Sequence, residues 1–131
     1  MGNKETAQEI YEAFGRGDVA AILERLDEDV EWEYGVASEV PWLQPRRGRT
    51  GAAEFFASLG ELEIHTFILK AILEGDGLVV ALIDVEATVK ATGKRYVEED
   101  EVHIWYFNED GKVVRFRHRV DTQQHYQAWR G

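Results

Sequence analysis

The chain has 131 residues, 44% of them apolar and 11% aromatic, enough to bury the core of one domain. Its 25 acidic residues outweigh 15 basic ones, and the net charge of −10 has the wrong sign for a nucleic-acid or anionic-membrane binder. The absence of cysteine removes disulfides, thiolate metal sites and cysteine nucleophiles; together with a start that lacks the apolar stretch of a leader, it makes a cytoplasmic protein the expectation.

Ala7, Ile10, Tyr11 and Phe14 recur at helical spacing and predict a first helix, capped by Asn3 and ended by Gly15-Arg16-Gly17. Asp18 caps a second helix that turns Val19, Ile22, Leu23 and Leu26 inward. Asp27-Glu28-Asp29 reads as a solvated turn. Val30, Trp32 and Tyr34 then alternate with Glu31 and Glu33, the pattern of a half-buried strand. Residues 35–49 hold both prolines and no period, so they read as a loop, in which Trp42 beside Pro41 is placed to cover an opening. Thr50 caps a third helix with Ala52, Phe55, Phe56 and Leu59 on one stripe.

From residue 63 the pattern changes to strands. Segments 64–74, 78–91, 96–107 and 112–121 are long and rich in Val, Ile, Thr and aromatics. Gly75-Asp76-Gly77, Thr92-Gly93-Lys94 and Asn108-Glu109-Asp110-Gly111 separate them, and such short connections force an antiparallel meander. The longest apolar run, residues 78–83, is far short of a membrane span. Asp121 opens a short last helix with Tyr126 and Trp129, on which His125 is expected to be exposed. The expected fold is a single α+β domain over residues 1–131. It is cone-shaped, with three N-terminal helices packed on the concave face of a long, strongly curved antiparallel (mixed) sheet.

A four-residue turn at 108–111 would set Phe107 opposite Lys112, His103 opposite Phe116 and Glu101 opposite His118. One face of this hairpin then carries Glu101, His103, Trp105, Phe116 and His118, with Glu101 within hydrogen-bond reach of His118 and His103 diagonal to it. The other face carries Val102, Ile104 and Tyr106 beside Arg115, Arg117 and Arg119, a charged surface answering Glu98, Glu99 and Asp100. Two imidazoles beside a carboxylate suit general acid–base work on a bound molecule, and they equally suit a self-satisfied polar cluster at the rim of a core. The same three side chains are chemically able to bind zinc, but the expected sheet spacing is looser than metal motifs use, so no metal is expected. Ile64, Phe67, Val102, Ile104 and Tyr106 offer apolar material on the outer sheet face, which points to a homodimer.

The order of these elements resembles the nuclear transport factor 2-like superfamily, and within it SnoaL-like polyketide cyclases and ketosteroid-isomerase-related proteins. The resemblance is carried by Tyr11-Glu12-Ala13-Phe14 with Gly17-Asp18, by Leu26-Asp27-Glu28-Asp29-Val30-Glu31-Trp32, and by Gly48-Arg49-Thr50-Gly51 with Phe55-Phe56. His103-Ile104-Trp105-Tyr106-Phe107, Asp110-Gly111-Lys112-Val113 and Arg117-His118-Arg119-Val120-Asp121 complete it. It places His103 where ketosteroid isomerases hold a protonated aspartate, and His118 at a pocket position that often carries an acid. Tyr34 stands at the isomerase general base, and Ile10 at the oxyanion tyrosine.

Two functions are compatible with these residues. In the first, the chain is an enzyme acting on a small apolar or aromatic carbonyl compound by proton abstraction and enolate stabilisation, as in isomerisation, aldol cyclisation or dehydration. His118 is the candidate base, Glu101 orients it, and His103 is the candidate oxyanion donor or proton shuttle. Trp105, Phe116, Tyr34, Trp32 and Trp42 line the cavity, with Phe14 and Phe55 contributed by the helices. This chemistry needs no cofactor, and none is expected. In the second, the same fold is a non-catalytic module that binds a small ligand or dimerises.

Overall fold

The computed structural model describes residues 2–34 and 39–131, with Glu33 and Tyr34 described by their backbone alone. Helix α1 (Asn3–Gly15) buries Ala7 and Ile10 of the predicted stripe together with Thr6 and Ala13, leaves Tyr11 and Phe14 half-buried, and has Gly2 rather than Asn3 at the cap position. Gly17 adopts a left-handed φ of 72°, and Asp18 then caps α2 (Val19–Glu24) by accepting from the Ala21 amide at 3.1 Å. Strand β1 (Leu26–Tyr34) begins immediately, so the acidic triplet lies in a strand instead of a turn. The reason is Leu26, fully buried, which anchors the strand's first residue in the core.

The stretch read as a loop is partly structured. Residues 35–38 lie outside the described residues; Pro41–Leu43 form one helical turn and Arg46–Arg47 form the short strand β2. Helix α3 (Gly48–Ser58) starts two residues before Thr50, with Arg47 as its cap residue. Four long strands follow: β3 (Leu62–Gly75), β4 (Leu78–Val89), β5 (Arg95–Phe107) and β6 (Val113–Arg119). The sheet order is β2-β1-β6-β5-β4-β3. Every neighbour is antiparallel except β1 with β6, which run parallel and set Trp32 beside Phe116. The result is the expected α+β cone, with helices on the concave face of a curved mixed sheet.

Bulges decide which side chains reach that face. At the β5–β6 hairpin the loop spans five residues, 108–112, closed by the Asn108 amide on the Lys112 carbonyl at 2.9 Å. Val114 is an additional bulged residue, because Tyr106 pairs with Arg115 while Phe107 pairs with Val113. These two one-residue changes shift the expected register by two. The faces stay as predicted, but His103 now lies opposite His118, and Trp105 opposite Phe116.

A second bulge lies in β5. Ile83 pairs with Glu101 but Val85 pairs with Glu98, so Glu99 and Asp100 together face Asp84. Asp100 has a φ of 63°, its amide donates to Asp84 Oδ1 at 3.1 Å, and Lys70 Nζ bridges Asp84 (3.0 Å) and Asp100 (2.5 Å). The bulge turns Glu98 inward alongside Glu101, so Glu98 is buried and does not answer the outer arginines. Arg115 instead forks onto Glu31 Oε2 at 2.9 and 2.7 Å. Bulges in β3 likewise bring Ile64 and Phe67 to the cavity rim rather than the outer face.

Helix α4 (Thr122–Arg130) closes one end of the cone. His125 on it is 1% exposed, contrary to the sequence expectation. Its Nδ1 accepts from Trp42 Nε1 at 2.9 Å, and its Nε2 meets Glu98 Oε1 in a short contact. Because the Trp42 indole only donates, His125 is the tautomer protonated at Nε2, which donates to Glu98. Gln124 adds a two-way clasp on Val97, donating to its carbonyl and accepting from its amide at 2.9 and 2.7 Å. His125→Leu leaves the Trp42 donor and a Glu98 acceptor buried without partners. It should destabilise the fold by about 2–4 kcal/mol. A urea-unfolding midpoint unchanged from the parent would contradict this account of α4.

Candidate active site

Between α1, α3 and the concave sheet face lies a cavity of about 70 Å³. Its wall is aromatic: Trp32 stacks on Phe116 with centroids 4.3 Å apart, and Trp105 packs against Phe116 at 4.4 Å with its ring tilted by 51°. Phe55 and Phe56 from α3 close on Trp32 at 5.4 and 5.7 Å. The rim is softer. Phe14 packs on Phe67 at 4.9 Å and on Phe56 at 6.2 Å, and all three rings are only half-buried.

One polar patch interrupts this wall. Glu101 Oε2 lies 2.7 Å from His103 Nε2 and 2.8 Å from His118 Nε2. Glu101, His103 and His118 are 5%, 6% and 8% exposed. The expectation that His118 alone would sit nearest Glu101 is corrected by the register shift, which gives both imidazoles equal access to one oxygen. His103 Nδ1 contacts the Tyr11 hydroxyl at 2.6 Å, and Trp105 Nε1 donates to that hydroxyl at 2.9 Å.

The direction of these bonds follows from their members. Trp105 donates to Tyr11; Tyr11 donates its one proton to His103 Nδ1; His103 then carries its proton on Nε2 and gives that hydrogen bond to Glu101. Burial holds His103 below the usual histidine range, against the pull of Glu101. Burial pushes Glu101 up, but the neighbouring His118 and the hydrogen bonds from both imidazoles outweigh it and leave the carboxyl well below the usual range. Burial raises Tyr11 far above the ordinary tyrosine value, so its hydroxyl stays a neutral donor. The patch is therefore a carboxylate with two imidazole N–H donors and a phenol behind one of them.

Glu101, His103, His118, Trp105, Phe116, Trp32, Trp42, Phe14 and Phe55 all border the cavity. The Tyr34 side chain lies outside the described residues. Three contributors were missed. Tyr11 was read as one more apolar residue on the α1 stripe, although a tyrosine on a buried stripe needs a partner for its hydroxyl. Glu98 was hidden by the Asp100 bulge. His125 had no signal in sequence, because its partners Trp42 and Glu98 are 83 and 27 residues away. His65, which had no expected company, contacts Thr88 Oγ1 at 2.7 Å on the exposed side. Trp32 Nε1 is buried and has no hydrogen-bond partner among the described residues.

A helix-lined cone with an aromatic pocket and a polar patch at the concave face defines a nuclear transport factor 2-like protein. A protein of this class from Burkholderia pseudomallei, of unknown function, superposes with a TM-score of 0.86 at 24% identity over 100% of both chains. One from Burkholderia thailandensis gives 0.86 at 25% identity, over 98% of this chain and 97% of that one. TerC, co-crystallised with polyporic acid, gives 0.80 at 24% identity over 98% of each chain. No curated protein matches the sequence. Residues 7–116 match the SnoaL-like domain model, and the chain belongs to that family.

The shifted groups make stability depend on pH with a definite sign. Above the ordinary histidine value of 6.5 both folded and unfolded His103 are neutral. Below it the unfolded chain takes up a proton that folded His103 refuses, so the fold loses up to about 1.4 kcal/mol per pH unit from this one group. Glu101 adds a second loss below 4.5, where its unfolded carboxyl protonates first. Urea unfolding between about pH 7.5 and about pH 5 should show stability falling with acid, and less steeply in His103→Gln. An equal slope in both proteins would mean that His103 is not the group held neutral.

Proposed function

We propose that the chain is a small-molecule enzyme that performs acid–base chemistry on an apolar or aromatic carbonyl compound in this cavity. The observation that carries the reading is one buried carboxylate oxygen shared by two imidazoles on an otherwise aromatic wall. His118, oriented by Glu101, is the base that takes a proton next to the carbonyl. His103 and the neutral Tyr11 hydroxyl are the donors to the oxyanion that develops, their protons turning from Glu101 and His103 Nδ1 to the substrate oxygen as it binds. Trp32, Trp105 and Phe116 hold the apolar body of the substrate.

The cavity volume of about 70 Å³ bounds the ligand. A dry cavity of about 150 Å³ is known to take benzene, so a larger molecule enters only when the half-buried rim rings Phe14, Phe56 and Phe67 swing aside. The co-crystallisation of TerC with polyporic acid supports an aromatic guest and makes that compound a first probe. The small volume and the closed hydrogen-bond chain favour, as the second reading, a non-catalytic ligand-binding module.

Deuterium exchange at the α-carbon separates the two readings. Phenylacetone, acetylacetone and polyporic acid are incubated with the protein, the first two in heavy water and followed by NMR, the third followed by fluorescence quenching of the pocket tryptophans. The enzyme reading expects accelerated exchange that falls by roughly 10²–10⁴ in His118→Ala and by less in Glu101→Gln. Polyporic acid binding with no exchange of either ketone, or unaltered exchange in the His103→Ala, His118→Ala double variant, favours the module.

The assembly reading is a homodimer joined through the outer sheet face. Ile68, Leu73 and Val97 are 52%, 61% and 58% exposed there, beside Val102, Ile104 and Tyr106. Light scattering should give twice the chain mass of 15.0 kDa, and Leu73→Arg with Ile104→Glu should return it to the single-chain value. A 15.0 kDa particle for the parent at micromolar concentration would refute the dimer.

A further inference from the structure

We infer that Glu101, His103 and His118 form a binding site for one divalent transition-metal ion of the zinc–cobalt type. The inference goes beyond the acid–base reading and does not rest on it, because metal binding is measured without any substrate. The sequence reading expected no metal, on the ground that the sheet would hold these side chains too far apart. The true register removes that ground. His103 and His118 are directly opposed, with ring centroids 4.7 Å apart. One Nε2 from each and one oxygen of Glu101 lie within 4.8 Å of one another, and all three residues are buried.

The donor set fits the ion. Two imidazole nitrogens and a carboxylate oxygen are the three protein ligands of an open zinc site, in which a fourth position stays available to water or a ligand. The cavity borders all three residues, so a fourth position has space to face into it. The surroundings fit as well. Coordination through Nε2 needs His103 to move its proton to Nδ1, which then donates to Tyr11. The Tyr11 oxygen has two lone pairs, enough to accept from Trp105 and His103 together, and its own proton then leaves His103 Nδ1 and turns to a guest or water in the cavity.

Charge supplies an independent argument. The Asp100 bulge turns Glu98 inward, and ligand atoms of Glu98, Glu101 and His125 also fall within 4.8 Å of one another. Two buried carboxyl groups thus lie side by side, and a dication at the Glu101 oxygen would sit between them in a site of low polarity. Glu98 itself is committed to His125 and the Asp121 amide, so it acts as a neighbouring charge rather than a ligand.

The test uses the full chain stripped with chelator and titrated with cobalt(II), then zinc(II), by visible absorption and calorimetry. Expected are one ion per chain, the intense absorption of four-coordinate cobalt, and its loss on zinc addition. His103→Ala and His118→Ala should each weaken binding by more than about 100-fold, beyond what loss of an outer-shell partner does. His65→Ala, on the exposed side, should bind as the parent does. Should the buried variants not fold, imidazole NMR of the parent decides: zinc must shift the signals of two of the four histidines, His103 and His118. No uptake of either metal, parent-like affinity in a folded His103→Ala, His118→Ala double variant, or zinc shifts on His65 or His125 would each overturn the site.

Discussion

One oxygen atom organises the interior of this protein. Glu101 Oε2 accepts from the Nε2 atoms of His103 and His118, two neighbours on the adjoining strands β5 and β6. A carboxylate taken out of water survives only where donors replace its hydration, and here two imidazoles do so. The demand then propagates. His103 must keep its proton on Nε2, so its Nδ1 needs a donor, which fixes the Tyr11 hydroxyl, which in turn receives Trp105. A side chain of α1 is thereby tied to the sheet through a polar chain inside an apolar core. The helix is positioned by the same bonds that set the tautomer.

The backbone devices that make this arrangement available are local departures from a regular sheet. A strictly alternating β5 would turn Glu99, not Glu98, toward the helices. The residue inserted at Asp100 reverses the alternation partway along the strand, so Tyr96 and Glu98 share a face with Glu101, His103 and Trp105. The left-handed conformation of Asp100 is sustained by its amide bond to Asp84 and by the Lys70 bridge. On the other side of the cone, α4 uses His125 to hold Trp42 and Glu98 at once. The outer surface clamp and the terminal helix thus both bear on the position of Glu98, next to the carboxylate that matters most.

The sequence made the architecture and the central cluster legible for one reason, period. The stripe Ala7, Ile10, Tyr11, Phe14 and the alternation Glu101, His103, Trp105 need no tertiary knowledge, and a register error of two residues leaves faces unchanged. What it hid was whatever period does not encode. An extra bulged residue at Val114 changed which residues stand opposite one another, and the one at Asp100 changed which acid points inward. The hydroxyl of Tyr11 and the burial of His125 depend on partners far along the chain, so neither residue's own neighbourhood announced them. The caps shifted by one to three residues: Gly2 and Arg47 take the cap positions of α1 and α3 with no side-chain cap bond, and Asn3 and Thr50 lie inside the helices.

The energetics of the cluster argue that it is kept for use. A buried ion pair or triad replaced by well-packed apolar side chains is often neutral or more stable by about 1–4 kcal/mol. This core has apolar neighbours in abundance, with Trp32, Trp105, Phe55 and Phe116 all buried around the patch, so a leucine or phenylalanine set could fill it. The cluster also lowers stability toward acid, since His103 resists a proton that the unfolded chain accepts. Neither cost brings a packing advantage. The cluster nevertheless sits where a cavity meets the deepest part of the sheet, its donors paired and its tautomers fixed in advance. Polar groups held in place in a dry site need only a local exchange of partners to meet a guest molecule, a property that serves a functional site and not a structural core.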